Sequence, residues 1–98
     1  MQDQVVWQAV RTAETWRRRF YPSRAQRLGR EGEAHIDCLI AASGELTDCR
    51  LISESPERWG FGDAALNMRV LFKAQPVGRD GKPVVGRRVQ ISINFNLS

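Results

Sequence analysis

His35 and Asp37 stand two residues apart, a spacing that turns both to one face of an extended strand, where an imidazole and a carboxylate can ligate a metal. Two ligands leave such a site open, and a solvated strand surface accounts for the pair equally well. The only cysteines are Cys38 and Cys49, without CxxC spacing, and His35 is the one histidine. These are too few soft ligands for a structural zinc unless a dimer shared one. Glu31, Glu33, Glu45 and Asp48 are scattered over strand ends and turns, and the glycines match no phosphate-loop spacing. Catalysis needs a nucleophile with a base, paired carboxylates or a metal converging on one concave site. None converges here, so the chain is read as a binding module, not an enzyme, with no metal and no cofactor.

The elements that carry these residues follow from periodicity. Val6, Val10, Ala13, Trp16 and Phe20 recur at spacings of three and four, which predicts a helix over residues 4–20. Tyr21-Pro22 ends it, and Pro22 opens a short second helix with Ala25 and Leu28 inward and Gly29 closing it. The period then becomes two. Ala34, Ile36, Cys38 and Ile40 alternate with His35, Asp37, Leu39 and Ala41, a half-buried strand.

Ser43-Gly44 reads as a two-residue hairpin turn, and residues 46–53 return with Cys49 and Leu51 on the core face. That register puts Cys38 opposite Cys49. In an oxidising compartment the two would close a cross-strand disulfide; in a reducing one they would pack as small apolar thiols. Phe61, Ala64, Ala65, Met68, Leu71 and Phe72 repeat at helical spacing, with Asp63 in the first turn, Arg69 and Lys73 late, and Pro76 beyond. A turn at residues 79–83 precedes a last strand in which Val89, Ile91, Ile93 and Phe95 alternate with Arg88, Gln90, Ser92 and Asn94. Hairpin, helix and strand predict an α+β domain: an antiparallel sheet of order 2-1-3, helices on its apolar face, and the last strand on an edge.

Length and charge bound the function. The 98 residues hold one modest core, and the 42% hydrophobic and 27% charged content is that of a folded globular chain. The formal net charge is +4, with Arg17, Arg18 and Arg19 followed by Arg24, Arg27 and Arg30. Such a cluster steers acidic partners, nucleic acid or anionic lipid heads, or simply forms a solvated face. No stretch reaches the ~18 apolar residues of a membrane span, and no signal-peptide core opens the chain. By itself this places the chain in the cytoplasm or makes it a piece of something longer. Trp7, Trp16 and Trp59 are candidates for a lid over the core or for interface anchors.

The run Tyr21-Pro22-Ser23-Arg24-Ala25-Gln26-Arg27-Leu28-Gly29-Arg30-Glu31-Gly32, followed by the alternating strand, resembles the opening of TonB C-terminal domains. The similarity continues through Gly44-Glu45-Leu46, Gly62-Asp63-Ala64-Ala65-Leu66, Phe72, Pro76 and Asp80-Gly81-Lys82-Pro83-Val84 to Ile91-Ser92-Ile93-Asn94-Phe95. It covers residues 20–95, with residues 1–19 as a helical or linker segment before a domain over 20–98.

The resemblance implies a non-enzymatic periplasmic domain, tethered to the inner membrane by a segment outside this chain, where its proton-channel partners would act. It would couple proton-motive force to outer-membrane transporters of iron chelates, vitamin B12 and similar nutrients. In that family the transporter's TonB box adds as a strand beside the last β-strand, a mode that draws its affinity from main-chain hydrogen bonds. Carried over, Arg87, Arg88, Val89, Gln90, Ile91, Ser92, Ile93, Asn94 and Phe95 form the partner edge, and Arg17, Arg18 and Arg19 lie near the peptide's path. A periplasmic address also favours a Cys38–Cys49 disulfide. The same edge can pair with a second copy. Two other readings are a TolA-like envelope adaptor and a small basic nucleic-acid-binding domain; the second lacks an aromatic platform for stacking bases.

Overall fold

The alternation of β1 (Gly32–Ile40) sends Ala34, Ile36, Cys38 and Ile40 into the core, where all four are buried. In the computed structural model, which describes residues 5–7 and 19–97, β1 is the centre of a three-stranded antiparallel sheet of order β2-β1-β3. Its neighbours are β2 (Leu46–Ser55) and β3 (Arg88–Phe95). A short helix α1 (Ser23–Arg27) precedes the sheet; a second, α2 (Phe61–Asn67), connects β2 to β3 and tightens into a 3-10 turn (Met68–Leu71). The order and the edge position of the last strand are those the sequence predicts.

Three local expectations are corrected. The first concerns the hairpin, which closes through three loop residues rather than two. Ala41 N–H donates to Glu45 O at 2.9 Å and Gly44 N–H to Ala41 O at 2.8 Å, with Gly44 at φ 88°. Gly44 is drawn into that conformation by residue 74: its carbonyl accepts from Ala74 N–H at 2.8 Å, and a Cβ on it would run into the Ala74 carbonyl.

The longer loop shifts β2, so that Leu39 pairs with Thr47, yet Asp37 pairs with Arg50 and Ile36 with Leu51. The register recovers because Asp48, at φ 49°, is an extra residue on β2, a bulge that turns Cys49 back toward Cys38. The two cysteines form a disulfide with Cα atoms 4.1 Å apart. Cys49 is half-buried against the core, whereas Leu51 is 38% exposed instead of inward. β2 is an edge strand that α2 covers only in part, and Leu51 rests beside Gly62, where a Cβ would meet its Cδ2 at 2.5 Å.

The second correction is at the N-terminus. Residues 5–7 are extended, not helical: Trp7 bridges Ala74, and Val6 O accepts from Gln75 N–H at 2.8 Å. Val10, Ala13, Trp16, Arg17 and Arg18 lie outside the described residues; Phe20 packs half-buried against the core. The third concerns α2, expected to run unbroken through Phe72. It ends at Asn67 and passes into the 3-10 turn, which releases Lys73 and Ala74 to bridge Glu45 and Trp7. The Arg69 guanidinium donates to Leu66 O at 2.8 Å and occupies a carbonyl that the shortened helix leaves over.

One end of the core is aromatic. Phe61 and Phe95 are fully buried with ring centroids 5.0 Å apart, and Tyr21 meets both edge-on at 6.0 and 5.6 Å. The Tyr21 hydroxyl donates to Arg30 O at 2.5 Å and ties the exit of α1 to this cluster.

The disulfide closes a loop of sequence separation 11, for which chain entropy gives about 3 kcal/mol. A Cys38→Ala/Cys49→Ala double variant is expected to fold with stability lower by about that amount, read from its urea midpoint. A change under ~1 kcal/mol would show that the Asp48 bulge holds the two strands together without the covalent link.

Candidate functional site: the outer edge of β3

β3 alternates exposed and buried side chains along its whole length, with Val89, Ile91, Ile93 and Phe95 inward and Arg88, Gln90, Ser92 and Asn94 outward. It pairs with β1 from Gly32↔Phe95 to Leu39↔Arg88 without a register shift. Ile40 N–H donates to Arg87 O at 3.0 Å and Ile40 O accepts from Gly86 N–H at 2.8 Å, so Ile40 turns its main-chain groups toward the β3 side. Antiparallel pairs alternate between bonded and non-bonded. Residues 89, 91, 93 and 95 therefore spend their main-chain groups on β1, and the even-numbered residues, Arg88, Ser92 and Asn94 among them, aim theirs at the other side. Among the described residues no strand lies on that side.

The sequence-predicted site residues fall as follows. Arg88, Val89, Gln90, Ile91, Ser92, Ile93, Asn94 and Phe95 are β3 itself, and Arg87 is exposed just before it. Arg19 is exposed, while Arg17 and Arg18 lie outside the described residues. Cys38 and Cys49 are joined.

The Arg88 side chain is not offered outward. Its Nε donates to Asp37 Oδ1 at 2.7 Å, and its terminal nitrogens donate to Asp48 Oδ2 at 3.0 Å and Asp48 O at 2.7 Å. The guanidinium thus crosses β1 and holds the bulge of β2; its hydrogen bonds to the Asp37 and then the Asp48 carboxylates raise its pKa. Arg50 stands 3.7 Å from the same Asp37. Further along, His35 Nδ1 and Ser92 Oγ hydrogen-bond at 2.8 Å, and His35 Nε2 lies 3.6 Å from Glu33. His35 and Asp37 share the outer face as expected, but each is engaged separately, and among the described residues no group of three or more metal-ligating side chains is gathered.

Sequence reasoning missed two features here. The Arg88–Asp48 clamp depends on a bulge that no spacing announces. The stacking of Arg24 and Arg30 over Trp59, at 4.5 and 4.9 Å from the ring centroid, joins residues remote in sequence. The density of arginines around Pro22 was the only hint of it.

The model of the family of Gram-negative bacterial TonB protein C-terminal domains matches residues 17–97, and this chain belongs to that family. Its domains are non-enzymatic and periplasmic. A solution structure of the Pseudomonas aeruginosa TonB C-terminal domain superposes with a TM-score of 0.68 over 97% of this chain and 88% of that one, at 19% identity, a likeness of fold. The TonB2 protein from Vibrio anguillarum superposes with a TM-score of 0.59 at 28% identity, over 80% of this chain and 73% of that one. An uncharacterized protein of Caulobacter vibrioides is 34% identical over 64 residues, 65% of this chain. The match spans 64% of that relative's length.

Proposed function

We propose that the domain binds the TonB box of outer-membrane TonB-dependent transporters by adding it as a strand to β3, and so transmits proton-motive force to nutrient import. The observation that supports this reading is the edge position of β3, with the main-chain groups of alternate residues directed away from β1. Strand addition draws on such groups for affinity and on the flanking side chains for selectivity. The polar outer face, with Arg88 clamped across β1 to Asp37 and Asp48, keeps the edge from being a flat apolar template for aggregation. In the living cell the domain would be periplasmic and held to the inner membrane through a segment outside this chain.

The test is a titration of isotope-labelled domain with synthetic TonB-box peptides, followed by amide shifts. The largest shifts are expected at Arg88, Ser92 and Asn94, whose N–H groups face outward, with smaller ones at Val89, Ile91 and Ile93. Shifts confined to β2 or the helices, or none, would defeat the assignment. A TolA-like adaptor would give no response to these peptides. Light scattering on the same samples would report any pairing of two copies through β3.

A further inference from the structure

A second surface, which uses none of the outward main-chain groups of β3, is defined by residues around α1. Arg24 lies on α1, and Arg30 is brought back beside it by the hydrogen bond from its N–H to Ala25 O at 2.8 Å. Both guanidiniums sit over the Trp59 indole, at 4.5 and 4.9 Å from its centroid. Leu28 caps α1 one turn after Arg24, on the same helical face, its N–H bonded to Arg24 O at 3.1 Å.

Leu28 is 64% exposed, between Arg27 and Arg30 in sequence, although the apolar period of α1 predicts it inward. Among the described residues no carboxylate lies within ion-pair distance of Arg24, Arg27 or Arg30. The nearest acid in sequence, Glu31, is committed to Leu97 N–H at 2.7 Å.

Three arginines without counter-charges among the described residues, an amphipathic indole and a protruding leucine have complementary needs. The charges call for anions; the leucine calls for removal from water. Nucleic acid meets only the first, and a base stacking on Trp59 would have to displace the guanidiniums already over the ring. An acidic peptide offers carboxylates, but covers the leucine only where an apolar side chain happens to stand beside them. The headgroup region of an anionic bilayer offers both, with phosphates at the level of the arginines and acyl chains below for the leucine.

We propose that Arg24, Arg27, Leu28, Arg30 and Trp59 form a peripheral docking surface for an anionic lipid bilayer. Binding is weak and reversible, because a single leucine and a few charges give far less than a membrane span. It is screened by salt, since every charge involved is solvent-exposed. The surface does not use the outward main-chain groups of β3, so it stands or falls apart from the peptide-binding reading.

The experiment is co-sedimentation of the full chain with vesicles of phosphatidylcholine alone or mixed with phosphatidylglycerol. Binding is expected to the mixed vesicles only, and to fall as salt is raised. Each arginine near an anionic surface is worth about 1 kcal/mol, a factor of roughly five, so Arg27→Gln should weaken partition about fivefold. Leu28→Ser should weaken it by a similar factor with the salt dependence unchanged. Both side chains are exposed, so circular dichroism should be that of the parent and TonB-box peptide titrations should be unaltered. Equal binding to both vesicle types, no loss in Arg27→Gln, or binding to a poly-glutamate peptide without binding to vesicles would each overturn the proposal. The last result would reassign the surface to an acidic protein segment.

Discussion

Replacing Gly32 with valine is expected to leave the chain without a cooperative unfolding transition at room temperature. Gly32 opens β1 opposite Phe95, at the aromatic end of the core. A Cβ there would stand 2.5 Å from Phe61 Cε2 and 2.6 Å from the Ser55 carbonyl oxygen. Neither neighbour can give way. Ser55 O is backbone of the paired strand, and the Phe61 ring is fully buried between Tyr21 and Phe95.

Overpacking a core costs about 1–3 kcal/mol per modest insertion, and here three carbons are driven against backbone and a fixed ring, so about 4 kcal/mol or more is expected. That rivals the whole stability of a domain this small, commonly ~5 kcal/mol at the low end. Gly81→Ala is the contrasting variant. Gly81 has φ 79° with nothing within 4 Å of the place a Cβ would take, so only backbone strain of about 1 kcal/mol is at stake. Thermal melts of both would decide the matter, and a Gly32→Val melt within a few degrees of the parent would refute the close packing described.

If the proposed strand addition operates, Ser92→Pro should weaken it strongly while leaving the fold in place. The Ser92 N–H faces away from β1, so proline removes no ladder bond inside the sheet, and edge strands accept it in that orientation. The side-chain loss is one hydrogen bond to His35, about 1 kcal/mol. An added strand, however, would lose a donor in the middle of the edge and find its own carbonyl facing the proline ring. A lost bond together with an orphaned acceptor amounts to about 2–4 kcal/mol, so TonB-box affinity should fall at least ~30-fold. Ser92→Ala removes the same hydroxyl but keeps the N–H, and should bind within about twofold of the parent. Calorimetric titration of both variants separates main-chain recognition from side-chain recognition; equal affinities would rule out pairing through this edge.

The parts of this structure that were legible in the sequence are those set by periodicity. The alternations in β1 and β3 are uninterrupted over four apolar positions each, and both strands sit as their patterns predict, on the centre and the edge. The edge position of β3 was legible for the same reason, because sheet order follows from the hairpin and the crossover.

What escaped were places where tertiary contacts outweighed local pattern. Ser43-Gly44 has the composition of a two-residue turn, but the hydrogen bond from Ala74 to the Gly44 carbonyl favours a longer loop. The residue this adds reappears as the Asp48 bulge, which restored the cysteine alignment by a route the pattern does not contain. The apolar stripe over residues 4–20 predicts a helix at its start, yet residues 5–7 gain more as an extended segment against residues 73–75, where Val5 is buried and Trp7 meets Phe72 edge-on at 5.7 Å. The Arg24–Trp59–Arg30 stack was illegible because 35 positions separate Trp59 from Arg24.

The bulge at Asp48 is gripped from both sides of the sheet, by the disulfide beneath and by Arg88 above. Cys38, the anchor of that grip on β1, is the residue that pairs with Val89 on the opposite flank. Tension drawn along β3 therefore meets a seam of hydrogen bonds next to a covalent rivet. If the sheet parts under load, it parts between β1 and β3, and the hairpin behind them comes away in one piece.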